Sequence, residues 1–121
     1  MVTFDPTRPI YLQIVEEVKK RAVRGQYSPG SKLPSVRDMS GEMGVNPNTM
    51  ARAFKHLESE GFVEPRRGLG SYVAESEDLI IQEREHLAMS ALERFLDEIG
   101  QLKPDERLLQ RLRNRQEEEW A

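Results

Sequence analysis

A chain of 121 residues without cysteine can hold one domain plus an appendage, and it has neither a disulfide nor a thiolate metal site. It has no basic start followed by an apolar run, and no apolar stretch near the about 20 residues that cross a bilayer, so it is expected to be cytoplasmic, with no part in a membrane. The net charge of -3 hides an asymmetry: residues 1–74 hold 11 Lys/Arg against 8 Asp/Glu (+3), and residues 75–121 hold 7 against 13 (-6). The front therefore suits a phosphate-bearing partner and the back does not.

Residues 1–8 read as an extended lead-in, with Phe4 able to fold back on the body. Pro9 stands where a first helical turn tolerates proline. After it Tyr11, Ile14, Val15, Val18 and Ala22 recur at helical spacing, and Glu16, Glu17, Lys19, Lys20 and Arg21 are assigned to water. Gly25 closes this helix and Ser28-Pro29-Gly30 is a turn. Ser35 caps a second helix, with Asp38 as its capping-box partner and Val36, Met39 and Met43 as its apolar edge. Gly44 ends that helix and Val45 fills the corner. Asn46 and Pro47 open a third helix whose buried stripe is Met50, Ala53, Phe54 and Leu57, and Gly61 stops it.

Phe62-Val63-Glu64 and Ser71-Tyr72-Val73 read as two short strands around a glycine-containing tip, with one further short strand possible near Lys32. A lone hairpin is marginal in water, so this one is expected to rest on the helices through Phe62 and Val73. Beyond a polar linker at 75–78 comes an amphipathic helix lined by Ile80, Leu87, Ala88, Ala91, Leu92, Phe95 and Ile99 and ended by Gly100. A last helix starts at Pro104-Asp105, with Leu108, Leu109 and Leu112 on its apolar side and Trp120 near its end. The fold expected is mainly α with a small β-hairpin wing: a winged helix-turn-helix over 1–74, then a two-helix dimerisation tail over 75–121.

Two short helices cannot enclose a core between themselves. A second copy is the favoured partner, meeting the tail through Leu87, Ala91, Leu92, Phe95, Ile99, Leu109 and Leu112.

Helix, turn, helix and basic wing together imply that the front reads double-stranded DNA. Arg37, one turn into the second helix, can reach a phosphate or a guanine edge; its alternative is a surface pairing with Asp38 or Glu42. Asn46, Asn48 and Thr49 crowd the start of the third helix, where small polar groups can meet bases or backbone. Capping alone explains Asn46 but not Asn48. Arg52 and Lys55 follow, as phosphate contacts or as solvated charges, and His56 reads as an exposed or half-buried side chain near Phe54. In the wing, Arg66, Arg67 and Gly68 permit close approach to the minor groove, although hairpin geometry alone would also ask for the glycine.

The motifs PIYLQI (9–14), GxxxPGxKLPSVRxMS (25–40) and GVNPNTMARAFKHLESEGFVEPRRGLGSYV (44–73) resemble the GntR family of bacterial winged-helix repressors. The short tail is similar to that of the YtrA subfamily, whose members lack a large effector domain and commonly regulate their own operons, many encoding ABC transporters. The resemblance implies operator contacts at Arg37 and at the start of the third helix, with Gly68 entering the minor groove. Pro47 and Ala51 stand where members of other subfamilies carry basic residues, and Leu69 replaces a lysine frequent between the wing glycines. The 47 residues of the tail leave no room for the aminotransferase-like, fatty-acid-binding or sugar-binding domains of other relatives.

No catalytic residue, metal site or cofactor is expected. His56 and His86 lie 30 residues apart and neither opens a ligand-spaced cluster. A small-molecule effector near Phe95 and Trp120 lacks support in the sequence. A winged-helix adaptor that binds protein instead of DNA is the alternative of a different class.

Overall fold

The computed structural model describes residues 2–121. In chain order it forms α1 (Ile10–Val23), α2 (Val36–Met43), α3 (Pro47–Ser59), strands β1 (Val63–Arg66) and β2 (Gly70–Val73), α4 (Glu77–Gln101) and α5 (Glu106–Trp120). This is the mainly helical winged helix-turn-helix that the sequence implies. The chain divides into two units, residues 1–86 and 87–121.

In the first unit the core is the meeting of four apolar stripes. Ile14, Val15, Val18 and Ala22 come from α1, Met39 and Met43 from α2, and Met50, Ala53, Phe54 and Leu57 from α3. Phe62, Val63 and Val73 bring the hairpin onto them. Tyr27, Leu33 and Ile80 complete the cluster. Phe4 is half-buried against the core, and the lead-in is held by Gln13, whose amide donates to the Asp5 and Arg8 carbonyls and accepts from the Asp5 N–H.

The helix ends follow local chemistry. Ser35 Oγ accepts from the Asp38 N–H at 3.0 Å. The return bond of a full capping box is missing among the described residues, because an aspartate is one methylene shorter than the glutamate that normally makes it. Gly44 takes φ 70°, which closes α2 and turns the chain into α3 without a Cβ penalty. Asn46 Oδ1 then accepts from the Asn48 N–H at 2.7 Å, and Pro47 occupies the first turn, where a missing N–H costs nothing.

The hairpin pairs Val63 with Val73 and Arg66 with Gly70. Its second edge is not empty. Lys32 bridges to Tyr72, Leu33 N–H donates to the Ser71 carbonyl at 2.8 Å, and Val73 N–H donates to Ser31 at 2.9 Å. The stretch before α2 is thus a third, minimal strand that ties the wing to the helices.

Two expectations change. Lys19 and Arg21 are buried, not on the wet side of α1. Each is held by carboxylates from other elements: Lys19 by Glu60 and Glu83, and Arg21 by Glu42 at 2.6 Å as well as its neighbour Glu17. Burial by itself would lower the Arg21 pKa, but hydrogen bonds to Tyr27, Glu42 and Glu17 outweigh it and hold the guanidinium charged. The second change concerns α4. It starts within the expected linker, with Ser76 Oγ accepting from the Leu79 N–H, and it runs past Gly100 to Gln101. The left-handed residue of the following turn is Lys103, at φ 50°.

In the second unit α5 is capped by Asp105, whose Oδ1 accepts from the Leu108 N–H at 2.8 Å, and it buries no residue. Leu87, Ile99, Leu108, Leu109 and Leu112 are half-buried, while Met89, Ala91, Leu92, Phe95, Leu96, Leu102 and Trp120 are exposed. No helix is long and apolar enough to cross a membrane among the described residues.

Candidate nucleic-acid interface

The reading surface begins with Arg37, on the first turn of α2 and exposed. Neither carboxylate proposed to pair with it does so, since Glu42 reaches Arg21 instead and Asp38 makes no ion pair among the described residues. Asn46 uses its carboxamide oxygen as the cap of α3, which leaves its NH2 unengaged. Asn48 and Lys55 are exposed and Thr49 is half-buried, and no side-chain partner within the protein engages any of the three. The packing of Met50, Ala53, Phe54 and Leu57 turns that polar side outward.

Arg52 is positioned from another element. Its guanidinium lies 3.9 Å over the Tyr11 ring, and His56 meets the same ring edge-on at 6.0 Å. Tyr11, Pro9 and Ile10 of the α1 start join Asn48, Thr49 and Arg52 of α3 around an open depression of about 390 Å³. Stacking holds the planar cation in one orientation while its N–H groups stay available to an anion.

At the wing, Leu69 N–H closes a turn onto the Arg66 carbonyl at 2.8 Å, and Gly68 has φ 75°, a value that strains any residue with a Cβ. The three cationic or glycine positions expected there separate. Arg67 and Gly68 project at the tip, exposed. Arg66 folds back, stacked 4.0 Å over Tyr72 and 3.5 Å from Glu75. Sequence reasoning counted Tyr11 into the buried stripe and passed over Lys32, whose stem lies 3.0 Å from where a Cβ on Gly70 would stand. The signal for Tyr11 was its hydroxyl at the half-buried end of an otherwise aliphatic stripe. Lys32, alone before the Leu33-Pro34-Ser35 cap, had no periodicity to mark it. No group of three His, Cys, Asp or Glu side chains could hold a metal among the described residues.

The family model for bacterial regulatory proteins of the gntR family matches residues 10–73, which contain Arg37, the polar start of α3, Arg52, Lys55 and the wing tip. The chain belongs to the gntR family. Membership makes it a DNA-binding helix-turn-helix transcriptional regulator and not an enzyme. This gntR-family chain is 40% identical over 99 residues to the HTH-type transcriptional regulator YhcF of Bacillus subtilis, covering 82% of each protein. It is 44% identical over 78 residues to the HTH-type transcriptional repressor YtrA of the same organism, covering 63% of this chain and 60% of YtrA. The likeness to YtrA stated from the sequence is thereby borne out. Among solved structures, a GntR family transcriptional regulator from Listeria monocytogenes superposes with a TM-score of 0.81 at 33% identity, over 93% of this chain and 98% of that one. The DNA-binding domain of AraR, solved in complex with its operator ORX1, superposes with a TM-score of 0.53 at 27% identity, over 61% of this chain and 90% of that domain.

Proposed function

We propose that the protein is a homodimeric repressor of its own operon that binds a palindromic operator, with residues 1–74 as reading head and 75–121 as dimerisation tail. The observation that carries this reading is the division of the cations. Around α1, Arg8, Lys19, Arg21 and Arg24 are each ion-paired and Lys20 alone is not, whereas Arg37, Arg52, Lys55 and Arg67, with Lys32 before α2, make no ion pair among the described residues. Unneutralised cations beside the polar start of α3 form a surface that phosphate can complete.

In this reading Asn48 and Thr49 meet base edges in the major groove, and Asn46 reaches a base or phosphate with its remaining N–H groups. Arg37 takes a phosphate or a guanine. Arg52, steadied by Tyr11, and Lys55 take backbone phosphates. Arg67 and Gly68 approach the minor groove, with Arg66 behind them. Leu87, Ala91, Leu92, Phe95, Ile99, Leu109 and Leu112 join two tails, so that two α3 helices enter successive major grooves roughly 34–36 Å apart. The name of YtrA as a repressor and the operator complex of AraR favour this reading.

Selection of bound fragments from the source genome tests it, because a recovered site reveals symmetry and spacing together. On that site Arg37→Ala is expected to weaken binding by about 1–3 kcal/mol at fixed salt, roughly 5- to 150-fold, with the unfolding curve unchanged. Affinity should also fall steeply with added salt. Unaltered binding by the variant, or a flat salt dependence, would favour a protein-binding adaptor instead.

A further inference from the structure

Lys19 has no reason to be buried if α1 merely shields a core. Its side chain is 11% exposed, and its ammonium lies between two carboxylates from different helices: Glu60 Oε2 at 2.5 Å and Glu83 Oε1 at 3.5 Å. Glu60 caps the end of the reading helix α3, and its other oxygen lies 2.7 Å from His56 Nε2. Glu83 stands in the second turn of α4, 14% exposed, and its Oε1 is buried without a hydrogen bond. Lys19 is the cation that faces this oxygen among the described residues. The two carboxylate oxygens sit within about 6 Å of each other, a separation at which like charges repel strongly in a partly dry site. The ammonium turns that repulsion into a bridge. The same Nζ lies 5.9 Å from the centroid of the Phe62 ring.

We propose that Lys19 is a positioning residue, an ionic clasp that fastens the end of the reading helix to the first turns of α4. The charge pattern makes it a latch and not only a filler: with the ammonium in place α3 and α4 attract a common centre, and without it Glu60 and Glu83 push them apart. Glu60 itself is partly exposed, at 37%, so the site is half-buried, and ion pairs that are desolvated on one side are poor sources of net stability and better suited to fixing one arrangement over others. α4 is a single helix from Glu77 to Gln101, so it carries both the clasped turns and the start of the tail. For operator recognition the clasp matters through the two-copy reading above, which it refines; the clasp itself is a property of one chain.

The test uses the full chain in three forms: wild type, Lys19→Met, and Lys19→Met with Glu83→Gln. Methionine keeps the stem and removes the charge. Amide hydrogen exchange of residues 80–83 is expected to quicken roughly tenfold in Lys19→Met while the amides of α2 hold their protection, and to return towards wild type when Glu83 is also neutralised. A role in packing alone would leave the second substitution without effect, so failure of that rescue, or uniform loss of protection in α1–α4, overturns the clasp. Should Lys19→Met fail to fold, Glu83→Gln alone, which leaves Lys19 paired with Glu60, must still loosen residues 80–83; unchanged exchange there overturns it as well.

The same proteins are then titrated with the palindromic fragment and with a single half-site. Lys19→Met should lose roughly tenfold on the palindrome and nothing on the half-site. Equal effects on both DNAs remove the clasp from operator recognition. If wild type is itself monomeric and indifferent to the second half-site, the two-copy reading fails, while the exchange result still decides the clasp.

Discussion

The two ends of this chain treat their apolar residues in opposite ways. From Ile14 to Ile80 the large aliphatic and aromatic side chains converge on one core, apart from Leu69 at the exposed wing tip, and the surface that remains is mostly polar and carries unpaired cations. From Leu87 onward no residue is buried, and Leu92, Phe95 and Leu96 are each more than two-fifths exposed. The difference is one of geometry. Three helices and a hairpin can surround a common centre, whereas α5 and the far half of α4 are too few elements to enclose one. A module that satisfies itself can devote its outer face to recognition. A segment that cannot must find its missing surface elsewhere, and a contiguous exposed apolar face is the mark of that need.

Substitutions sharpen the contrast in order of expected size. Phe62→Ala, at the junction of hairpin and helices, should cost the first unit about 3–5 kcal/mol in denaturant unfolding, the usual range for a fully buried phenylalanine. The comparable insult to the tail should leave that unfolding alone. On the proposed two-copy reading, Leu92→Glu with Phe95→Glu is expected to remove about 2–4 kcal/mol of self-association, read by light scattering as a fall from roughly twice 14.0 kDa to that mass. A large drop in head stability from the tail pair would break the comparison. Asn46→Ala removes the α3 cap and should cost about 1 kcal/mol of stability, with a further loss on operator DNA beyond what unfolding explains.

The smallest effect is acid sensitivity. Burial alone would raise the Glu60 pKa, but the hydrogen bond and charge of Lys19, then those of His56, hold it below its ordinary 4.5. A carboxylate with a depressed folded pKa contributes stability that is complete above 4.5 and disappears as pH falls through the folded value. Glu60→Gln should therefore flatten the unfolding free energy against pH below 4.5 and leave its shape near neutrality unchanged.

Much of the head was legible because its signals are local. Ser35, Gly44, Asn46 and Pro47 act within a turn of where they stand, so a cap or a left-handed corner can be read from a few residues. The stripes of α1, α2 and α3 follow from helical period, and the expected supports of the hairpin, Phe62 and Val73, are both buried. Lys19 and Arg21 were misjudged because period assigns a face, not the neighbours of that face. Their burial depends on Glu60, Glu83 and Glu42, which arrive from 21 to 64 residues away. Tyr27, in a loop without periodicity, and the stacking of Arg52 on Tyr11 were hidden for the same reason.

The amino-acid order alone determined the helix-turn-helix, the wing and the polar opening of α3, since hydrogen bonds at helix ends and alternation of apolar side chains operate over a few residues. Tertiary structure alone decided which cations are neutralised within the protein and which stand unpaired. That outcome is set by distance between elements remote in sequence, and charge pairing depends on distance, not on order along the chain.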